Sequence, residues 1–219
     1  MGILAVFSVA LSLAALPPLP HQGLALETRA GVQLQTFTGR RLATIPGLDL
    51  AVDKKFGRHL VMRDRRGRLF TLDPAARRVR RAHESPSRMR GCRLGDATLY
   101  VCRHAIVRGG HVLARKPRGI GHWVWAERAP KADAVLAQWS AECEVPVAYL
   151  LLPGGLISYG SGTVALGWLT NGSAAVYFPR GGGCGPTPRA PGIYAVPLSG
   201  DPRLLLRTRK PVGYAMWGG

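Results

Sequence analysis

The chain has 219 residues, which is enough for one well-buried domain and gives no reason to expect two. Its 28 glycines and 17 prolines are scattered between short apolar runs, a composition that argues against a mainly helical protein. The formal net charge of +18 is carried almost wholly by arginine, and composition leaves two explanations open: a GC-rich genome or a polyanionic partner.

The N-terminal segment has the pattern of an export signal. Residues 3 to 16 are apolar, prolines follow at 17, 18 and 20, and the run is too short for a comfortable membrane span. Small-x-small patterns at Ser12-Leu13-Ala14 and Gly23-Leu24-Ala25 suit a signal peptidase, although no Lys or Arg precedes the apolar run. We therefore expect residues 1–25 to be a signal peptide, or alternatively an uncleaved membrane anchor, and the protein to be exported, periplasmic or extracellular. Residues 26–219 are then a single domain.

Candidate β-strands fill the rest of the chain, where no convincing amphipathic helix occurs. They come in four groups of four, which begin at Leu48, Gly91, Gly121 and Thr163 and are divided by Gly, Pro and Asp turn signals. In the last group, VALGWL and AAVYF flank Asn171-Gly172, a pair that supplies the positive φ values of a tight hairpin. Repeats of about 40 residues with four strands each predict the blades of a β-propeller.

The two ends of the chain together predict a fifth blade. Residues 24 to 45 contain candidate second, third and fourth strands without a first, and GYAMWGG near the C-terminus is a first strand without followers. Pairing them closes the ring and removes an exposed sheet edge. The fold class is therefore all-β, a propeller of about five four-stranded blades. A six-bladed ring and a β-sandwich are the alternatives.

Five tryptophans fall on candidate first or second strands. Large flat side chains fill the wedge between twisted sheets, so we expect them to pack between blades rather than to form a sugar-stacking platform. They are Trp123, Trp125, Trp139, Trp168 and Trp217.

The repeats resemble the TolB-like, WD40-like β-propeller proteins of bacteria. The similar segments are GRLFTLDP, DAVLAQWSAECEVPVAYLL, ALGWLTNGSAAVYF and PGIYAVPLSGDPRLLL, which together cover much of residues 60 to 210. Blades of that family usually carry a Ser-Pro-Asp-Gly turn between the first two strands, and Leu169-Thr170-Asn171-Gly172 comes closest to it here. The resemblance implies an exported propeller that acts mainly as a binding platform.

Four cysteines fit an oxidising compartment and two disulfides. No C-x-x-C pair occurs, which argues against a zinc ribbon or a thioredoxin-type site. Cys92 and Cys102 flank a hairpin centred near Ala97, where a cross-strand bond is sterically reasonable. Cys143 and Cys184 follow the second strands of consecutive blades, so a bond between them would join neighbouring blades. Three connectivities remain open.

Arginines cluster in the first group of strands. With Phe70 as the one aromatic residue of this region, it lacks the stacking platform of a single-strand nucleic-acid binder. We expect instead a surface for an acidic or anionic partner. Its candidate residues are Arg63, Arg65, Arg66, Arg68, Arg77, Arg78, Arg80 and Arg81.

A catalytic alternative places a divalent cation in the propeller channel. Carboxylates and an imidazole on or beside the innermost strands are suitable ligands, and at least three would have to converge. The candidates are Asp49, Asp53, Asp96, His122 and Glu127. No Ser-His-Asp constellation and no phosphate-cradling loop can be assembled from the sequence.

The sequence therefore favours a non-catalytic binding or scaffold module that takes a protein or anionic partner and needs no cofactor. We expect a monomer, with nucleic acid an unlikely partner and membrane contact only through the N-terminal segment. The alternative function is a metal-dependent hydrolase or lyase with its site in the channel.

Overall fold

The computed structural model describes residues 16–53, 58–82, 89–96, 98–141, 145–178, 191–208 and 213–218. These residues form twenty β-strands and no helix. The strands are β1 (Gln22–Thr28), β2 (Gly31–Gln35), β3 (Arg41–Ile45), β4 (Asp49–Leu50), β5 (Val61–Arg63), β6 (Leu69–Asp73), β7 (Arg78–Arg81), β8 (Cys92–Asp96), β9 (Leu99–Cys102), β10 (Ala105–Arg108), β11 (His111–Arg115), β12 (Gly121–Arg128), β13 (Val135–Ala141), β14 (Pro146–Leu152), β15 (Gly155–Ser161), β16 (Val164–Trp168), β17 (Ala174–Phe178), β18 (Gly192–Val196), β19 (Arg203–Arg207) and β20 (Tyr214–Gly218).

The strands form five antiparallel four-stranded sheets arranged as a five-bladed β-propeller, so the predicted fold class is confirmed. Blade 2 contains β4 to β7, blade 3 β8 to β11, blade 4 β12 to β15 and blade 5 β16 to β19, in chain order from the innermost strand outwards. These are the four groups of strands that the sequence predicts.

Blade 1 is completed from both ends of the chain, also as predicted. Its order is β20, β1, β2, β3, and β20 pairs with β1 so that Ala215 lies opposite Ala25. Strand β1 begins at Gln22, so the last four residues of the predicted 1–25 segment belong to the propeller. Closure therefore depends on a strand pair between residues almost 200 positions apart in sequence.

The hydrophobic core lies between blades rather than in one central cluster. Each of four buried clusters joins two neighbouring blades: blades 1 and 2, 3 and 4, 4 and 5, and 5 and 1. A single blade is a thin sheet that cannot bury both of its faces, so neighbouring blades supply the missing layer. Among the described residues, buried clusters thus stabilise four of the five junctions between blades, and none joins blades 2 and 3.

All five tryptophans are buried in these interfaces, which confirms the packing role that the sequence predicts. The Trp168 indole N–H, on blade 5, donates to the backbone carbonyl of Glu127 on blade 4. The Trp217 ring lies against Gly23, where an added Cβ would collide with it. A glycine is therefore required at this position of β1 for the closing strand to approach.

The Asn171-Gly172 turn differs in detail from the prediction. The loop between β16 and β17 spans residues 169 to 173, and of the pair Asn171 and Gly172 only Gly172 has a positive φ, of 83°. The side chain of Asn171 instead accepts a hydrogen bond from the N–H of Ser173. This Asx-type bond fixes the longer loop without placing Asn171 in the left-handed region.

Candidate functional site

The propeller has two opposite faces. Because neighbouring strands of a blade are antiparallel, the loops that join first to second and third to fourth strands share one end, here called the first face. The loops that join second to third strands, and those that lead to the next blade, lie at the second face. The candidate residues divide between these two faces and the outer rim.

The eight candidate arginines all belong to blade 2, but they do not form one patch. Arg65, Arg66 and Arg68 occupy the β5–β6 turn at the second face, and Arg77 lies in the β6–β7 turn at the first face. Arg78, Arg80 and Arg81 are on β7, the outermost strand, and Arg63 ends β5. The basic surface therefore wraps the outer edge of blade 2 from face to face.

Three of these arginines are paired with acids of the same blade. Arg63 pairs with Asp53, Arg68 with Asp64 and Arg80 with Asp73. The other five side chains are exposed, and none takes part in an ion pair with another described residue: Arg65, Arg66, Arg77, Arg78 and Arg81. They carry the excess positive charge of the blade.

Asp64 organises the β5–β6 turn. Its buried carboxylate accepts hydrogen bonds from the backbone N–H groups of Arg66 and Arg68, at 2.9 Å each, and from the Arg68 guanidinium. Burial alone raises the pKa of this carboxyl, but the bonds from Arg68 and Arg66 outweigh it and hold the pKa below its ordinary value of 3.8. The turn thus presents Arg65 and Arg66 outward in a fixed conformation.

Arg77 adopts an unusual backbone conformation. Its φ is 51°, and it is the one non-glycine residue with a positive φ in the described part of the chain. Its N–H donates to the Pro74 carbonyl and its own carbonyl accepts from the N–H of Leu16. The segment that precedes β1 therefore docks against the basic blade.

Among the described residues, no three of the candidate metal ligands come together in one cluster. Asp53 pairs with Arg63, and Glu127 is buried 3.7 Å from the guanidinium of Arg58. Asp49 is exposed at the start of β4, and His122 is exposed at the second-face end of β12. The side chain of Asp96 lies outside the described residues. No group of three or more His, Cys, Asp or Glu side chains that could hold a metal occurs among the residues described.

The cavity on the propeller axis is small and mainly apolar. It has a volume of about 30 Å³ and is lined by residues of blades 1, 2, 4 and 5, with His59 as its one imidazole. Burial, with a smaller contribution from the nearby Tyr177, raises the pKa of the lining residue Tyr214, which keeps its hydroxyl neutral. The lining of this cavity offers no carboxylate to a cation.

One of the two expected disulfides is described. Cys92 and Cys102 lie opposite each other on β8 and β9 and are bonded, as their flanking of a hairpin predicts. The predicted partners Cys143 and Cys184 lie outside the described residues. The observed bond joins the two inner strands of blade 3 at their second-face end.

A cleft beside this disulfide has no counterpart in the predictions. It lies between blade 3 and the start of β12, has a volume of about 380 Å³, and is lined by Gly91, Arg93, Val101, Arg103, His122 and Trp123. Arg93 and Arg103 each follow a cysteine of the disulfide in sequence. The sequence signal for this cleft was the pair of dipeptides Cys92-Arg93 and Cys102-Arg103. The predicted Cys92–Cys102 disulfide brings the two arginines close together.

Fold and surface together define a five-bladed β-propeller with a basic second blade. No protein-family model matches the chain, and no curated protein matches it. The likeness to TolB-like and WD40-like proteins is thus a likeness of blade pattern. Among the described residues, no helix is long and apolar enough to cross a membrane.

Proposed function

We propose that this protein is an exported propeller that binds an acidic protein partner through the basic edge of blade 2, without catalysing a reaction. The observation that carries the proposal is the set of five exposed arginines that form no ion pair with a described acid. They are displayed on a rigid sheet and its two turns. A surface of this kind attracts a negatively charged partner over long range and orients it on approach.

The disulfide and the N-terminal sequence support export. A Cys92–Cys102 bond persists in oxidising compartments and is rare in the cytosol. Cleavage after Ala25 would remove four of the seven residues of β1, whereas cleavage after Ala14 would leave the strand intact. We therefore favour the Ser12-Leu13-Ala14 pattern as the processing site.

Arginine suits such a surface better than lysine. Its planar guanidinium can make two parallel hydrogen bonds to one carboxylate, so the partner's Asp and Glu side chains would be held in a defined orientation. The five arginines lie on a turn at each face and on the outermost strand between them. The partner would therefore dock against the rim of the propeller.

Binding to poly-L-glutamate, a mimic of an acidic protein surface, tests the proposal. We expect labelled poly-L-glutamate to bind the wild-type protein by fluorescence anisotropy, and affinity to fall roughly tenfold or more between about 50 and 200 mM NaCl. Replacing Arg65, Arg66, Arg77, Arg78 and Arg81 by Gln should abolish most of the binding and of its salt dependence.

A matched variant separates a defined surface from bulk charge. Gln at Arg40, Arg115, Arg128, Arg203 and Arg207 removes the same charge from exposed positions on the other four blades. This control should retain most of the affinity. Equal losses in the two variants, or binding that does not respond to salt, would rule out the basic edge of blade 2 as the docking surface.

A further inference from the structure

The cleft between blades 3 and 4 has a positively charged rim and a buried floor. Arg93, Arg103 and His122 are exposed at its mouth, whereas Val101 and Trp123 are buried beneath them. Its volume of about 380 Å³ lies within the range of pockets that hold small ligands. It is separate from the arginines of blade 2 and does not depend on their function.

The floor residue Trp123 has an indole N–H that no described residue accepts. Trp123 is 1 % exposed, and its Nε1–H is buried without a hydrogen-bond partner. Leaving such a donor unsatisfied costs free energy, and a bound water molecule can supply the missing acceptor. Two arginines and a histidine line the cleft above this buried aromatic floor.

Two described carboxylates of blade 4 are engaged elsewhere. Among the acids of blades 3 and 4 whose side chains are described, Glu127 pairs with Arg58 and Asp133 pairs with Arg108. None of the ion pairs between described residues includes Arg93, Arg103 or His122. The charge at the rim is therefore available to an anion from solution.

The cleft is held in shape before any ligand arrives. The Cys92–Cys102 bond fixes the strand positions that precede Arg93 and Arg103. The backbone N–H of Trp123 donates to the carbonyl of Arg103 at 3.4 Å, and the Trp123 ring packs edge-on against Trp139 and Tyr149. A preformed site loses less conformational entropy on binding.

We propose that this cleft binds the phosphate group of a small phosphomonoester. A phosphate presents three terminal oxygens and up to two negative charges, which matches donors that approach from two strands and a turn better than a planar carboxylate does. Arg93 and Arg103 would make charge-assisted hydrogen bonds to these oxygens, and His122 would supply a further donor.

Titration with inorganic phosphate and with glycerol 3-phosphate tests the site on the oxidised full chain. We expect saturable binding, followed by calorimetry and by tryptophan fluorescence. The double substitution Arg93→Gln/Arg103→Gln should weaken it roughly tenfold or more, because two charge-assisted hydrogen bonds are lost.

Controls distinguish this site from general attraction of anions. Arg115→Gln/Arg118→Gln removes the same charge from exposed positions nearby that do not line the cleft, and should leave the affinity unchanged. Arg93 and Arg103 are exposed, so their replacement should also preserve the thermal unfolding midpoint. Equal weakening in both double variants would overturn the proposal, as would the absence of binding both in this titration and in the vesicle assay that follows.

A parallel arm with vesicles identifies the source of the phosphate. Binding to glycerol 3-phosphate in solution indicates a soluble metabolite, whereas binding confined to phosphatidic acid vesicles, lost in Arg93→Gln/Arg103→Gln, indicates a lipid headgroup. Absence of binding in both arms contradicts the phosphate assignment.

Discussion

Asp64 shows how a single charged residue can stabilise blade 2. Its carboxylate is nearly buried, yet it remains ionised because backbone and guanidinium N–H groups surround it. A carboxyl whose pKa is lower in the folded than in the unfolded chain stabilises the fold at pH values above its ordinary pKa. That contribution is lost as pH falls through the lower, folded value.

The first prediction concerns the response of stability to acid. The free energy of unfolding should decrease as pH falls below about 3.8, the ordinary pKa, toward the lower folded value of Asp64. Asp64→Asn should reduce this dependence, because Asn carries no titrating proton, and should lower stability at pH 7. Urea denaturation at several pH values measures both effects.

Two other carboxyl groups should also contribute to the acid dependence of stability. The pKa values of Asp73 and Asp133 are also lowered, chiefly by the Ala76 N–H and by Arg108 respectively, so some acid dependence should persist in Asp64→Asn. Asp201→Asn removes the same charge from an exposed turn and should leave stability at pH 7 unchanged. An unaltered pH profile in Asp64→Asn would contradict the assigned role.

At the scale of strands, side-chain hydrogen bonds connect neighbouring blades. Gln138 of β13 accepts a hydrogen bond from the N–H of Ala165 at a bulge in β16, and Thr163 accepts one from Ala148 of β14. Gln22 of β1 bonds the backbone of Trp168 and Thr170 on blade 5. These bonds satisfy backbone N–H and C=O groups that have no partner within the sheets.

A substitution at Gln138 tests the contribution of such a link. Gln138→Leu keeps the side-chain size but leaves the Ala165 N–H without its acceptor, so we expect a loss of about 1–3 kcal/mol in the free energy of unfolding. Gln33 donates a hydrogen bond to Gln35 within β2. Gln33→Leu should therefore lower the free energy of unfolding by about 0.5 kcal/mol or less. Urea denaturation compares the two variants. Equal losses of unfolding free energy would contradict a stabilising role for the hydrogen bond between Gln138 and Ala165.

Most strands could be predicted because each is bounded by a turn residue and shows an apolar pattern. The repeats are unevenly spaced because blade 3 is short: it uses two-residue connections after both β9 and β10. Strand pairing within a blade follows from adjacency in sequence, which made the propeller recognisable despite this irregularity.

The candidate site was less accessible to sequence reasoning. The arginine runs located the basic blade, but whether a given arginine is exposed or paired depends on acids such as Asp53 and Asp73, whose positions are set by the sheet register. The cleft was not predicted because it joins residues of two blades, and Trp123 gave no sequence signal beyond that of a core residue.

At the scale of the whole molecule, the ring depends on the pairing of β20 with β1. Deleting residues 213–219 would expose the edge of β1 and remove Tyr214, Met216 and Trp217 from two interfaces between blades. We expect the deletion variant to lose its single cooperative thermal transition by circular dichroism and to associate in size-exclusion chromatography, because unpaired edges bind one another.

A circular permutant provides the control for that deletion. New termini between Gly109 and Gly110, in the exposed β10–β11 turn, and a flexible linker from residue 219 to residue 16 would make β20 and β1 consecutive. This permutant should unfold in one transition like the wild-type chain. Retention of the cooperative transition by the deletion variant would show that blade 1 can do without its innermost strand.

The composite blade also fixes the order of events during synthesis. Strand β20 is translated after every other described strand, so until it is made the nascent chain holds three strands of blade 1 without their innermost neighbour. Blades 2 to 5 can form in turn, but the circle is open until β20 emerges from the ribosome. During that interval a chaperone meets a chain whose ring has not yet closed.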